Sequence, residues 1–201
     1  DHQANISVNR SSGECTYSVQ GLDPSQTNEL TLQVSHKDTK AAALQTNIAL
    51  TPENCAGGTY TGTFSLESLN YAYDTYTVNI LIGDTVIPAG TCDLSIHTDK
   101  LSMNVSGGTG DASRNVQVIS AESSGDVVIP GQNKSVSVMA WPEGSNESTA
   151  ASISSKTPFT EGGMTILANA AQAGSAYGTW HAKLVLEPQG ATPSRTLAVA
   201  T

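Results

Sequence analysis

Short runs in which apolar and polar residues alternate occur along the whole chain, and the clearest is Leu30-Thr31-Leu32-Gln33-Val34. Because successive side chains of a β-strand point to opposite faces, such alternation is typical of a strand with one buried and one exposed face. Gly, Ser, Asn, Asp and Pro, which favour turns, are frequent between the runs. The pattern predicts strands over residues 6–8, 16–19, 30–34, 46–50, 60–66, 76–80 and 92–96, and again over 101–104, 116–118, 136–140, 164–166, 182–186 and 197–199.

The second half of the chain repeats the first. The run at 136–140 matches the run at 30–34, and Tyr-Gly-Thr-Trp at 177–180 matches Tyr-Asp-Thr-Tyr at 73–76. Two unrelated series of alternating runs would seldom match over so many strands in the same order. We therefore interpret the similarity between the halves as an internal repeat. About seven short strands per repeat is the pattern of an immunoglobulin-like or fibronectin-like β-sandwich. The sequence therefore predicts an all-β protein of two tandem sandwiches, residues 1–98 and 99–201.

Aromatic residues stand at equivalent places around the sixth strand of each repeat. Tyr73 and Tyr177 lie near the start of this strand. In sandwiches of this class, a tyrosine at that place often forms a hydrogen bond from its hydroxyl to nearby backbone. We expect both tyrosines to form such a corner. Tyr76 and Trp180 follow three residues later, and we expect both to face the core.

Charged residues are scarce and unevenly distributed. Only 13% of residues are charged, with 18 acids, 9 bases and a net charge of -9. Residues 1–99 contain 11 acids and 3 bases, and residues 100–201 contain 7 acids and 6 bases. This change in net charge between the two halves coincides with the predicted domain boundary. The acidic balance argues against a nucleic-acid partner.

The chain also contains no apolar run near the ~20 residues that a membrane helix needs, so we expect no membrane insertion. A secretory signal pattern is absent too. We therefore expect a mature chain or an excised fragment.

Three stretches of the sequence resemble a known family, the GBS Bsp-like repeat. Around the sixth strand, DTYTVNI at 74–80 and GTWHAKL at 178–184 resemble the family's motif, as does SVMAW at 137–141 around the third strand. The first repeat departs from the family, since Ser35 stands at the tryptophan position, and neither repeat has a clear equivalent of the family's acidic segment.

The family is a bacterial immunoglobulin-like module found in tandem on secreted and cell-wall-associated proteins of Gram-positive bacteria, often beside hydrolase or adhesin domains. The resemblance implies an extracellular protein that is secreted or attached to the cell wall. It implies no catalytic or binding residue.

Residue patterns of common catalytic sites do not occur in the sequence. There is no G-x-S-x-G nucleophile elbow, no H-E-x-x-H zinc motif and no calcium loop. The glycine-rich stretch at 107–110 does not continue into a Lys-Ser/Thr pair, so we interpret it as a turn. We expect no enzyme activity, no cofactor and no metal site.

Three cysteines, Cys15, Cys55 and Cys92, all fall in the first repeat. Cys15 opens the second predicted strand and Cys92 lies in the last one, so both can sit toward the same end of a sandwich. Cys55 lies in a loop toward the other end. Two alternatives stay open, a disulfide between Cys15 and Cys92 or three free or partly buried thiols.

Aromatic side chains are the candidate binding residues. Trp141 ends a strand because Pro142 follows it, and it is either a binding anchor or a core residue. The resemblance favours the core. Tyr71 and Tyr60 are further candidates for a surface patch. Lys183 alternates with inward-facing residues and should face water, which disfavours an isopeptide crosslink in the core.

We interpret the chain as a non-catalytic bacterial surface module, expected to be a monomer. Its role would be adhesion or ligand binding, with a host protein such as an immunoglobulin or a glycan as partner, or that of a spacer. The alternative is an accessory cell-wall-targeting region of a larger secreted hydrolase.

Overall fold

The computed structural model describes residues 1–107, 112–121, 127–174 and 178–201. They form two compact units, Asp1–Ile96 and His97–Thr201, whereas the sequence placed the boundary between residues 98 and 99. The predicted corner at Tyr177 and the end of the glycine-rich turn, residues 108–110, lie outside the described residues. Within the described ranges, no helix has the length and apolar character required to span a membrane.

The first unit is a sandwich of seven antiparallel strands. One sheet has the order β1-β2-β5 and the other has the order β4-β3-β6-β7. The fourth strand pairs with the third, whereas in constant-type immunoglobulin domains it pairs with the fifth. The strands are β1 (Gln3–Asn9), β2 (Glu14–Gln20), β3 (Glu29–His36), β4 (Ala42–Ala49), β5 (Tyr60–Ser65), β6 (Thr75–Ile82) and β7 (Thr85–Asp93).

The core of this unit lies between the two sheets and contains buried residues of both. On β3 and β6, Leu32 pairs with Ile80 and Val34 pairs with Val78. All four side chains are at most 2% exposed. Burial of each such side chain contributes about 1.5–3 kcal/mol. The alternation predicted these strands and their buried face correctly.

The last strand of this unit starts earlier than the sequence predicted. It was expected at residues 92–96, but β7 begins at Thr85, directly after a two-residue turn that closes the β6–β7 hairpin. Gly83 in that turn has a φ of 59°, a conformation that favours glycine. Pro88 and Gly90 interrupt the alternation within β7, which is why the pattern missed its first half.

Tyr76 forms a tyrosine corner in the first unit, three residues after the tyrosine that the sequence singled out. Tyr76 is fully buried on β6, and its hydroxyl donates a hydrogen bond to the carbonyl oxygen of Ala72. Tyr73 precedes the strand and is only partly buried against the core. The reason for the difference is that Tyr76 occupies an inward-facing position of the strand, from which its ring reaches back under the preceding turn.

The second unit repeats the arrangement with one change. Its three-stranded sheet has the order β13-β9-β8, and its other sheet has the order β11-β10-β14-β15, with β12 also paired to β10. Two short strands thus share the place that β4 holds in the first unit. The strands are β8 (Leu101–Ser106), β9 (Ser113–Ser120), β10 (Ser135–Pro142), β11 (Ala151–Ser152), β12 (Thr157–Pro158), β13 (Met164–Asn169), β14 (Trp180–Leu186) and β15 (Arg195–Ala200).

The interruption between β11 and β12 has a local cause. Ile153 turns its side chain into the core, where it is 4% exposed, and the Ser154 hydroxyl accepts a hydrogen bond from the backbone N–H of Val138. A side chain thus replaces a backbone group in the pairing with β10. The sequence did not predict β11 or β12, because two residues are too few to show alternation. The predicted all-β architecture of two sandwiches is confirmed.

Candidate functional site

Charged residues of the first unit, all of whose residues are described, avoid the interior of its strands. The charged residues within its seven strands are Glu14, Glu29 and Asp93, and each is the first or last residue of its strand. The remaining charges lie in turns and loops. The outer surfaces of the sheets therefore present uncharged side chains to solvent.

The outer surface of the sheet β1-β2-β5 is a regular array of hydroxyl and amide groups. We call it the first three-stranded face. Neighbouring strands lie about 4.8 Å apart, so side chains in register form rows across the sheet. One row is Asn5, Ser18 and Thr61, and the next is Ser7, Thr16 and Thr63. Glu14 lies at the rim of this face, opposite Asn9 and Ser65.

The second unit has an equivalent surface on β8, β9 and β13, which we call the second three-stranded face. One row contains Asn104, Gln117 and Thr165, and the next contains Ser106, Asn115 and Leu167. All six side chains are exposed, and Leu167 is 76% exposed. Every outward-facing residue of these three strands is uncharged, because the one charged residue in them, Arg114, lines the opposite side.

Hydroxyl and amide groups both donate and accept hydrogen bonds without carrying charge. An array of them suits a partner that is itself neutral and rich in hydrogen-bonding groups. Serine and threonine become nucleophiles only beside a base, and the rows of the two faces hold hydroxyl, amide and apolar side chains. The faces are therefore suited to binding by contact.

Trp141 lies on the outer surface of β10 and is covered there. Its side chain is 8% exposed, and the His181 ring lies 5.4 Å from it, centroid to centroid. Lys183 Nζ lies 5.9 Å above the indole and 3.3 Å from Glu147 Oε1. Lys183 faces outward as predicted, but the tryptophan beneath it is not presented to solvent. The sequence could not show this cover, because Lys183 comes from β14, a strand distant from Trp141 in the sequence.

Tyr60 and Tyr71 lie toward opposite ends of β5. Tyr60 begins the strand, pairs with Val19, and has its ring centroid 6.1 Å from that of Tyr17. Tyr71 follows the strand in a turn, where its N–H donates to the carbonyl of Leu66. Both rings are partly buried against the core. The structure does not bring these two candidates into one patch.

A cavity of about 250 Å³ opens at one end of the second unit. Its lining includes Trp180, His181, Arg114 and Ile153. The sequence predicted Trp180 as a core residue, but the side chain is only partly buried, because it is the first residue of β14 and lies at the end of the sandwich. The lining of the cavity therefore includes both an aromatic ring and a guanidinium group.

The cysteines separate into a pair and a single residue. Cys15 and Cys92 are 0% and 1% exposed, and the two thiols are near enough that the interaction with Cys92 raises the pKa of Cys15. Cys55 is also buried, and its Sγ lies 2.8 Å from the carbonyl oxygen of Thr51, to which it donates. All three are thiols in this structure.

A His–carboxylate contact joins His36 Nδ1 to Asp74 Oδ2 at 2.7 Å, with the His36 ring 4.9 Å from that of Tyr76. This pair lies where β3 ends and β6 begins, so it ties two strands together. Across the described part of the chain, no group of three or more His, Cys, Asp or Glu side chains is arranged to hold a metal ion.

Comparisons with known proteins bear on the fold. No protein-family model matches the chain, and no curated protein matches it. Among solved structures, the chain is similar to the FN1–FN3 domains of chicken CNTN1, at 14% identity and a TM-score of 0.29 over 96% of its own length. The chain spans 64% of the length of that CNTN1 chain.

A marsupial T cell receptor is similar at 8% identity and a TM-score of 0.32, over 98% of this chain and 70% of the receptor chain. Both TM-scores are below 0.5, so the fold assignment depends on the strand order and register described above. On that topology, the chain is an all-β protein of two immunoglobulin-like or fibronectin-like β-sandwiches.

Proposed function

We propose that the chain is a non-catalytic binding module of a Gram-positive bacterium, secreted or attached to the cell wall, that recognises its partner through the two three-stranded faces. The observation that carries the proposal is the exclusion of charge from both faces while 13% of the chain is charged. The resemblance to the GBS Bsp-like repeat supports the extracellular, bacterial setting.

A neutral partner fits these faces best. Charged interfaces gain association rate and specificity from complementary potentials, and the faces have almost no charge with which to do so. A glycan presents hydroxyl groups and no net charge, so it matches rows of hydroxyl and amide side chains. A neutral patch on a host protein, such as an immunoglobulin, is the second partner of this class. We expect the module to act as a monomer.

Binding to immobilised glycans and to serum proteins, measured with charged variants, tests the proposal. The double variant Asn104→Lys with Thr165→Lys places two charges on the second three-stranded face, and Ser18→Lys with Thr61→Lys does the same on the first. We expect at least one of these variants to lose about tenfold or more in affinity, equal to about 1.4 kcal/mol.

The matched control is the double variant Gln26→Lys with Ser145→Lys, which adds the same two charges at exposed loop positions outside the strands. It should bind as the unchanged chain does. Equal binding by all variants would contradict the proposal. Hydrolysis of peptidoglycan, glycan or peptide by the purified chain would contradict its non-catalytic part.

The alternative function, targeting of a larger secreted hydrolase to the cell wall, is favoured by the cavity of the second unit. Arg114 and Trp180 would suit a sugar or peptide that bears a carboxylate, as cell-wall polymers do. Co-sedimentation with purified peptidoglycan tests it. Binding that is lost in Arg114→Gln and retained in the face variants would favour this alternative over the leading proposal.

A further inference from the structure

The start of β2 and the end of β7 are held together by an arginine. Arg10, in the turn before β2, donates from Nη1 to the backbone carbonyl oxygens of Asp93 and Ser95, at 3.0 and 3.1 Å. The same nitrogen lies 3.6 Å from Asp93 Oδ2. The two strands belong to different sheets, so these contacts connect one layer of the sandwich to the other.

Cys15 and Cys92 lie at this junction. Cys15 is the second residue of β2, Cys92 is the last residue but one of β7, and both side chains point into the core. Cα atoms of the two strands come within 8 Å of each other, and both cysteines belong to the same buried core cluster. Disulfides join residues whose Cα atoms lie about 4.4–6.8 Å apart.

The third cysteine takes no part in this contact. The Cys55 thiol donates to the carbonyl oxygen of Thr51, four residues earlier in the same loop. Cys15 and Cys92 are 0% and 1% exposed, so solvent does not reach either thiol in the folded chain. A thiol in that state reacts slowly with reagents in solution. A bridge would therefore form during folding, before the sheets close.

We propose that Cys15 and Cys92 form a disulfide that joins the two sheets of the first unit when the chain folds in an oxidising compartment, and that Cys55 stays a free thiol. The oxidant is an external disulfide such as oxidised glutathione. Each cysteine loses its proton, the Cys15–Cys92 S–S bond forms, and the external S–S bond is reduced to two thiols that take up the two protons. The inference does not depend on the proposed partner.

The second unit contains no cysteine, so its fold forms without such a bridge. The disulfide is thus a feature of the first unit alone. It would close a loop that includes most of that unit, and long loops gain most from closure because the unfolded chain loses more freedom. We expect the oxidised first unit to melt roughly 10–20 °C above the reduced one.

The test refolds the reduced full chain in a glutathione redox buffer and maps its peptides without reduction. The expected product is about 2 Da lighter than the reduced chain, contains a Cys15–Cys92 peptide pair and retains one titratable thiol under denaturing conditions. Cys55→Ser is the matched control, since a serine hydroxyl can also donate to Thr51. This variant should form the same bridge and show no titratable thiol.

Three titratable thiols after oxidative refolding, or a bridge that includes Cys55, would overturn the inference. Cys15→Ser and Cys92→Ser should each lose the bridge, but a buried hydroxyl can itself prevent folding. The melting comparison between the oxidised and reduced unchanged chain avoids that difficulty. Both tryptophans lie in the second unit and five of the six tyrosines lie in the first, so tryptophan fluorescence reports on the second unit and tyrosine signals mainly on the first. Identical melting of the first unit in both states would also count against the bridge.

Discussion

The Tyr76 hydroxyl donates a hydrogen bond to the carbonyl oxygen of Ala72, four residues earlier in the chain. The phenol is fully buried, so this bond satisfies a polar group that would otherwise lie unpaired in the core. It also fixes the turn that leads into β6, one of the two inner strands of the four-stranded sheet. His36, whose ring contacts Tyr76, holds the same turn through Asp74.

Tyr76→Phe should destabilise the first unit by about 1–3 kcal/mol, because the ring is retained while the Ala72 carbonyl loses its donor. Urea unfolding followed by near-ultraviolet circular dichroism measures this. The tryptophan fluorescence transition of the second unit serves as an internal control and should not move. A variant as stable as the unchanged chain would show that Tyr76 does not form the corner.

Ile80→Ala should cost about 2–5 kcal/mol, because it removes a side chain that is 0% exposed and leaves a cavity. Asn79→Ala changes the neighbouring residue on the outer surface and should cost less than about 0.5 kcal/mol. Chemical denaturation of both variants compares the two faces of β6. The reverse order would mean that the register of this strand is displaced by one residue.

The first unit should lose stability in alkaline solution, because burial raises the pKa of both Tyr17 and Tyr76. A phenol with a raised pKa in the folded state keeps its proton longer there than in the unfolded chain. Its contribution to stability is therefore complete below the ordinary tyrosine pKa of about 10 and is lost as the pH rises toward the folded-state value.

Phenolate absorbance and circular dichroism, recorded together during an alkaline titration, measure this effect. Some of the six tyrosines should ionise near pH 10, and Tyr17 and Tyr76 should ionise only as the first unit unfolds. Complete ionisation near pH 10 with the fold intact would contradict the burial of these two phenols.

Alternation predicted most strands because one face of each sheet is buried and the other is exposed to solvent. Apolar and polar residues therefore alternate along each strand. It failed where that period is absent. Pro88 and Gly90 break it in β7, and β11 and β12 are too short to show it. Tyr76 was correctly expected to face inward, but assigning the corner bond required knowing that its hydroxyl reaches back to Ala72.

The candidate site was less accessible to sequence reasoning. Trp141 is covered by Lys183, which comes from the distant strand β14 and forms an ion pair with Glu147 of the loop after β10. The rows of the three-stranded faces depend on register, which pairs Asn104 with Gln117 and Gln117 with Thr165. One signal was available in the sequence, since the alternating runs contain almost no charged residue. Only the register shows that these polar positions form continuous surfaces.

The salt dependence of partner binding tests the central claim most directly. The affinity of the full chain for the glycan or serum protein that it retains should be measured from about 50 to 500 mM salt, a range over which the screening length of exposed charges falls severalfold. Contact through uncharged faces predicts an affinity that changes less than about threefold, together with the loss of binding in the Asn104→Lys, Thr165→Lys variant. An affinity that falls a hundredfold or more over this range would contradict the account, because binding would then depend on the charged loops.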